Sequence, residues 1–300
     1  MKQKVIIIGG ATASGKSSLA MELAKKLNTE IISCDSMQVY KEMNIGTAKP
    51  SIKDMKFVKH YMIDIINPDE DFNVVKYVSM VNPLIEDILS RNKIPIIVGG
   101  TGLYVEALMN NIDFSEESTD LDYRKKMEKV AKEKGNEEIH NMLKEIDIDS
   151  ANRLSINDTK RIIRALEVYH TTGKTITYYN SISKNKDSKY DFILFGIDVP
   201  REELYQRIND RVDKMIEKGL VNEVEKIYNK YSKFPTAMQG LGYKEVIRYL
   251  KEEITLEEMI ELIKKETRHY AKRQITWFKA YKSIIWLSPQ SSIEETIQKM

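Results

Sequence analysis

The run Val5-Ile6-Ile7-Ile8, followed by Gly10-Ala11-Thr12-Ala13-Ser14-Gly15-Lys16-Ser17 and then by a helical pattern from Ser17 to about Leu27, decides the fold. A continuous β-branched run suits a parallel strand buried on both faces. The glycines let backbone N–H groups close around phosphate oxygens, and the N-terminus of the next helix adds its dipole. This is the spacing of a P-loop in its strand and helix context. Residues Gly10 to Ser18 are therefore expected to bind a phosphorylated ligand, with Lys16 reaching the outer phosphates and the Ser17 hydroxyl as an Mg²⁺ ligand. The expected fold is α/β, a doubly wound parallel sheet.

Working outward, the chain has 300 residues, 42% hydrophobic and 31% charged, which suits a folded core with room for an insertion and excludes disordered and fibrous classes. A formal net charge of +2 means that any nucleic-acid site must be a local cluster. The single cysteine, Cys34, excludes an internal disulfide and a multi-cysteine zinc site, and ending an apolar run it reads as a small buried filler. No apolar run approaches a membrane span, and the first one is too short for a signal peptide, so a cytoplasmic setting is expected.

Glu30-Ile31-Ile32-Ser33 reads as a second strand ending in Asp35-Ser36-Met37-Gln38, and His60 to Ile65 as another. A helix is expected from Val74 to Arg91 with a kink or break at Pro83. Ile94 to Val98 is the next strand, running into Gly99-Gly100-Thr101-Gly102 and a helix from about Leu103. The stretch from Asp113 to Asp122 turns acidic, and helices follow over Tyr123–Lys134, Asn136–Ile146 and Asp158–Thr172, with a polar linker from Ser181 to Lys189. Phe192 to Ile197 then resumes the strand signal, and Ile284 to Leu287 gives a last strand. Residues 1–115 and 191–300 thus form the core domain, and 116–190 a helical insertion.

Strand C-termini are where open α/β sheets place ligands, which makes Asp35 the most informative carboxylate; an Asp capping a turn is the alternative. No strand ends in a clear second Mg²⁺-site carboxylate, Asp64 and Asp198 being weak candidates. Basic residues cluster twice. Arg268, Lys272 and Thr276 share one helical face in the stretch running through Arg273, Gln274, Trp277 and Phe278. Lys160, Arg161 and Arg164 lie beside an apolar stripe of Ile162, Leu166 and Tyr169. Such faces suit a phosphate backbone, and a solvated amphipathic helix gives the same pattern. The histidines His60, His140, His170 and His269 show no metal-ligand spacing.

Taken together, Thr12 to Ser17, Asp35-Ser36-Met37-Gln38-Val39-Tyr40, Ile45-Gly46-Thr47-Ala48-Lys49-Pro50, Val98 to Tyr104, Arg164 to Tyr169, Gln239-Gly240-Leu241-Gly242-Tyr243-Lys244 and Ala271 to Phe278 resemble, in order, the bacterial tRNA dimethylallyltransferases, also called tRNA isopentenyltransferases. The resemblance implies transfer of the dimethylallyl group of dimethylallyl diphosphate to N6 of the adenine 3′ of the anticodon, with Mg²⁺ as cofactor and tRNA as partner. It implies the catalytic set Lys16, Asp35, Thr101 and Arg211, with Asp35 as proton acceptor and Arg207 as the second choice of arginine. The implied tRNA contacts are Asp35, Ser36, Met37, Gln38, Thr101, Lys160, Arg161, Ile162, Ile163, Arg164, Gln239 to Lys244, and Lys272, Arg273 and Gln274. A monomer is expected. Ala11 stands where the family commonly has Pro, and Leu154-Ser155-Ile156-Asn157-Asp158 lacks the usual His-Pro. The competing classes are an ATP-dependent kinase, a transferase acting on free adenine nucleotides and a non-catalytic P-loop RNA-binding protein.

Overall fold

The structure, a computed structural model, describes residues 2–110, 120–184 and 188–300. Its strands are β1 (Lys4–Gly9), β2 (Ile31–Ser33), β3 (His60–Tyr61), β4 (Ile96–Gly99), β5 (Asp191–Ile197) and β6 (Ile285–Leu287). They form one parallel sheet in the order β3-β2-β4-β1-β5-β6. The helices are α1 (Lys16–Lys26), α2 (Ile52–Phe57), α3 (Val74–Ser90), α4 (Gly102–Met109), α5 (Leu121–Lys134), α6 (Asn136–Ile146), α7 (Ile148–Arg153), α8 (Thr159–Thr172), α9 (Ile176–Lys184), α10 (Arg201–Glu217), α11 (Leu220–Lys230), α12 (Tyr243–Leu250), α13 (Leu256–Lys279) and α14 (Ile293–Gln298).

Residues up to Leu108 and from Tyr190 onward make one compact unit, and Met109–Lys189 a second. The expected boundary at 115/116 falls outside the described residues. In the first unit Val5 to Ile8 are fully buried, as a strand covered on both faces requires, and Ile6 pairs with Ile96 on one side and Ile193 on the other. Leu23, Ala20 and Ala24 of α1 pack with Ile6, Ile8, Ile31, Ile96 and Phe195. Because every strand is parallel, the loops after β1, β2 and β4 emerge at one edge. In the second unit α5, α6 and α8 enclose their own core of Met127, Ile139, Leu143, Ile162, Ile163 and Leu166.

Three expectations change. The strand expected over His60 to Ile65 stops at Tyr61: Met62 and Asp64 take left-handed conformations (φ 64° and 56°), and the amides of Asp64, Ile65 and Ile66 bond instead to the carbonyls of Gln38 and Val39. Helix α3 runs through Pro83 as one element, so of the kink or break expected there the break does not occur; Ser79, whose carbonyl the proline deprives of its partner, is an exposed residue. Tyr169 is 40% exposed and outside the apolar stripe of α8, which is carried by Ile162, Ile163, Ala165, Leu166 and Val168.

Candidate active site

The loop between β1 and α1 has the backbone of an anion cradle. Gly10 and Gly15 adopt φ of 130° and 99°, conformations that side chains rarely take, and Ala13 is also left-handed at 60°. Ala11 packs with Ile197, Val199 and Ile208, so its methyl fills the position without touching the phosphate-facing backbone. The Lys16 ammonium folds back onto the Ala11 carbonyl. The Ser14 hydroxyl is buried without a hydrogen-bond partner among the described residues, a loss that a bound anion would repair.

Gln274 of α13 braces this loop. Its Oε1 accepts the Thr12 N–H at 2.8 Å and its Nε2 donates to the Gly100 carbonyl at 3.0 Å, joining the glycine loops after β1 and β4. Gly100 must lack a side chain, because a Cβ there would lie 2.0 Å from Gln274 Nε2. The expected tRNA contact at Gln274 is thereby corrected: the side chain is only 6% exposed and both ends of its amide are occupied. The inward spacing Ala271, Gln274, Phe278 carries the signal for this role, and it is hidden in a row of basic residues.

Two strands along from β1, β2 ends in the turn that carries Asp35. Neighbouring strands lie about 4.8 Å apart, so a reach of roughly 10 Å separates the strand ends that present Asp35 and the phosphate loop. Asp35 Oδ1 accepts the amides of Met37 (2.8 Å) and Gln38 (3.3 Å), and no hydrogen bond to Oδ2 is present among the described residues. The Thr101 hydroxyl accepts the Ser36 N–H at 3.1 Å. Thr101 thus supports the Asp35 turn from the loop after β4.

A cavity of about 740 Å³ is lined by Thr12 to Ser18 with Ser33, Asp35, Gln38, Thr47, Arg211, Tyr270 and Gln274. A second, of about 310 Å³, is lined by Asp35, Ser36, Met37, Gln239 to Lys244 and Arg273 among others. Thr12, Asp35, Thr47, Arg211 and Tyr270 line both. Asp35 and Arg211 therefore sit where the space lined by the glycine loop meets a space walled by the 239–244 loop. Arg207 lines neither and is tied to Glu203 at 2.5 Å, though it lines a neighbouring cavity together with Ala13 and Arg211.

The electrostatics of this wall favour an anion. Burial pushes the Lys16 ammonium down to about 7, the Arg211 guanidinium adds to the fall, and Asp35 opposes it. Burial likewise lowers Arg211, again against Asp35. Desolvation costs a cation its charge unless a negative group shares the space, so both gain from an anion in the cavity. Burial pushes the Cys34 thiol up to about 12, which leaves it a neutral filler as expected.

The remaining expected contacts divide. Lys272 and Arg273 are exposed on α13, and Arg273 lies over the Tyr270 ring at 5.7 Å. Tyr243 is 1% exposed and its hydroxyl donates to Glu223, while the residue also lines the second cavity. In the second unit Lys160 and Arg161 are exposed and Arg161 pairs with Asp158 at 2.9 Å. Arg164 is held at 2.6 Å by Glu167, a fully buried carboxylate that also accepts from Arg124 and the Asp120 amide. Ile162 and Ile163, at 0% and 4% exposure, belong to the core and offer no side chain to RNA, which corrects that expectation. Among the described residues no group of three or more His, Cys, Asp or Glu side chains is placed to hold a metal.

A parallel α/β sheet with a braced glycine loop at its C-terminal edge, two buried cations and one carboxylate at a shared wall is an arrangement of the P-loop class, suited to an anionic ligand beside a second reactant. The family model of IPP transferase matches residues 38–281. A tRNA dimethylallyltransferase of Acetivibrio thermocellus is 51% identical over 285 residues, covering 95% of this chain and 91% of that protein. One from Carboxydothermus hydrogenoformans is 49% identical over 301 residues, covering 100% of this chain and 97% of that protein. The solved full-length tRNA isopentenylpyrophosphate transferase of Bacillus halodurans superposes with a TM-score of 0.73 at 39% identity, covering 99% of this chain and 94% of that one. A eukaryotic dimethylallyltransferase solved acting on tRNA gives 0.81 at 33% identity, covering 96% of this chain and 74% of that one. The chain belongs to the IPP transferase family.

Proposed function

We propose that this chain moves the dimethylallyl group of dimethylallyl diphosphate to N6 of the adenine 3′ of the anticodon in tRNA, releasing diphosphate. The observation that carries the reading is the shared wall: Asp35 and Arg211 line both the phosphate-loop cavity and the neighbouring cavity bounded by Gln239 to Lys244. The donor's diphosphate occupies the first and the flipped adenine the second, because an adenine stacked in an anticodon loop must leave the stack to be alkylated. The allylic C–O bond breaks and the C–N6 bond forms. Lys16, Arg211 and the loop amides hold the charge that develops on the leaving diphosphate. Asp35 takes the N6 proton on Oδ2, a transfer that becomes favourable as the new bond makes that proton acidic.

The residues present fit Mg²⁺. The exposed Ser17 hydroxyl opens on the cavity, and this ion is commonly held by one or two protein groups, ligand phosphates and water, so the lack of a carboxylate cluster is no obstacle. Ser17 would hold it, and its charge would add to the stabilisation of the leaving group. Lys160 and Arg161, exposed on α8, contact phosphates of the tRNA, with Lys272 and Arg273 on α13 as a second basic group. The enzyme works as a monomer in the cytoplasm; among the described residues no helix is long and apolar enough to cross a membrane.

Incubation with labelled dimethylallyl diphosphate, Mg²⁺ and total tRNA tests the reading. Label is expected in the nucleoside 3′ of the anticodon and is not expected in free adenine nucleotides. Transfer of label from ATP in a parallel reaction, with none from the allylic donor, overturns it in favour of a kinase.

A further inference from the structure

Glu223, on α11, lines neither of the two cavities. Its Oε2 accepts the amides of Asn44 (2.9 Å) and Ile45 (2.8 Å), and its Oε1 accepts the Gly46 amide (3.2 Å) and the Tyr243 hydroxyl (2.7 Å). Three successive backbone N–H groups converging on one carboxylate form the kind of nest that usually receives an anionic ligand. Here the anion is the protein's own. The Tyr243 ring completes the contact by lying where a Gly46 side chain would be: a Cβ there would sit 2.5 Å from Cε2.

The two segments so joined meet at the second cavity, which Gly46, Thr47 and Tyr243 all line, and Thr47, next after the nest, lines the first cavity as well. From Thr47 the connection continues inward: its carbonyl accepts Gln38 Nε2 at 3.2 Å, and the Gln38 amide bonds Asp35 Oδ1. A second tie holds the same segment to the far end of the same helix, where Glu42 accepts from Lys230 (2.8 Å) and Tyr231 (2.7 Å). That tie leads to neither cavity.

We infer that Glu223 is a positioning residue for the transfer, setting the donor-side and nucleotide-side walls together through its four-donor contact. The inference rests on the proposed function. Reach is what the geometry requires. Glu223→Asp keeps the charge and withdraws it by one methylene from all four donors. Glu223→Gln keeps an oxygen toward Asn44 and Ile45 but puts an NH2 where Oε1 was, leaving the Gly46 amide and the Tyr243 hydroxyl proton without their acceptor.

The test measures kcat and KM for both substrates and the melting temperature of Glu223→Gln, Glu223→Asp, Tyr243→Phe and Glu42→Gln. Glu223→Asp is expected to raise KM for tRNA and for the donor and to lower kcat/KM by roughly a hundredfold, as small misplacements of reacting groups do. Glu223→Gln, which keeps two of the four contacts, is expected to recover part of that loss, and Tyr243→Phe to raise KM for tRNA alone. Glu42→Gln is expected to lower the melting temperature with the kinetics unchanged, which a purely structural role for Glu223 would imitate. Should Glu223→Asp fail to fold, the order of Glu223→Gln, Tyr243→Phe and Glu42→Gln decides alone. Glu223 variants with wild-type kinetics, or losses at Glu42 equal to those at Glu223, overturn the assignment. A wild-type chain that transfers no allylic group overturns the proposed function instead.

Discussion

Diphosphate binding should take up a proton, and the acceptor should be Lys16. Its ammonium is brought from an ordinary 10.5 to about 7 by burial and by Arg211. A diphosphate in the cavity supplies the missing opposite charge and returns the group toward its ordinary value, so the coupling is at most about 5 kcal/mol. The sign follows. Below pH 7 the free protein already carries the proton, and affinity is indifferent to this group. Above it the proton must be acquired on binding: about one molecule in ten holds it at pH 8 and about one in a hundred at pH 9, so affinity falls about tenfold per pH unit. Titration calorimetry with inorganic diphosphate at pH 8, in two buffers of different ionisation enthalpy, should register about 0.9 more protons bound by wild type than by Lys16→Ala. The ligand's own titration is common to both proteins and cancels. Equal uptake in the two, or a wild-type affinity that holds level from pH 7 to 9 once the variant's trend is subtracted, refutes the argument.

Asp35→Asn should leave tRNA and donor binding in place while single-turnover transfer slows by roughly two to four powers of ten; a near-normal rate removes Asp35 as the base. Gln274→Leu should weaken inorganic diphosphate binding by about tenfold or more, because the Thr12 amide and the Gly100 carbonyl lose buried partners worth about 1–3 kcal/mol each; unchanged affinity refutes the brace. Lys160→Ala and Arg161→Ala should each reduce the slope of log affinity for tRNA against log salt by about one without changing diphosphate binding. Arg164→Ala is a poor test of that patch, since it also strips an ion partner from buried Glu167. Glu30 is held down to about 2, chiefly by its hydrogen bonds from Arg91. A carboxyl depressed in the folded state gives stability that is complete above its unfolded value near 4.5 and is lost as pH falls toward 2. Glu30→Gln should therefore cost about 1–3 kcal/mol in urea melts at pH 7, with the gap from wild type closing across that window.

The sequence reveals those parts of the molecule whose physics is local. A β-branched run, a glycine loop and an amphipathic helix meet within the first 27 residues, and each constrains its own backbone, so β1, the phosphate loop and α1 can be read directly. Asp35 is legible for the same reason, as a polar turn after an apolar strand. Partners distant along the chain are not. The spacing of Gln274 with Ala271 and Phe278 can say that it faces inward but not that it meets Thr12, and its basic neighbours argue for a surface. Glu223 is one acid among many on an amphipathic helix, and only the folded chain brings the amides of residues 44–46 onto it. The strand expected past Tyr61 fails through a competition of that kind, since the backbone there pairs with residues 38 and 39 instead.

The brace from Gln274 to the phosphate loop crosses 262 residues of sequence. On a ribosome the loop is made long before its brace, so a nascent chain holds a recognisable nucleotide-type motif throughout the synthesis of those intervening residues before that motif acquires its final support. Fragments released early carry the signature without the grip. Competence to hold diphosphate thus reports that translation has run at least to α13, and a pulse of limited proteolysis that removes only the segment beyond Ile263 should silence a loop that it never touches.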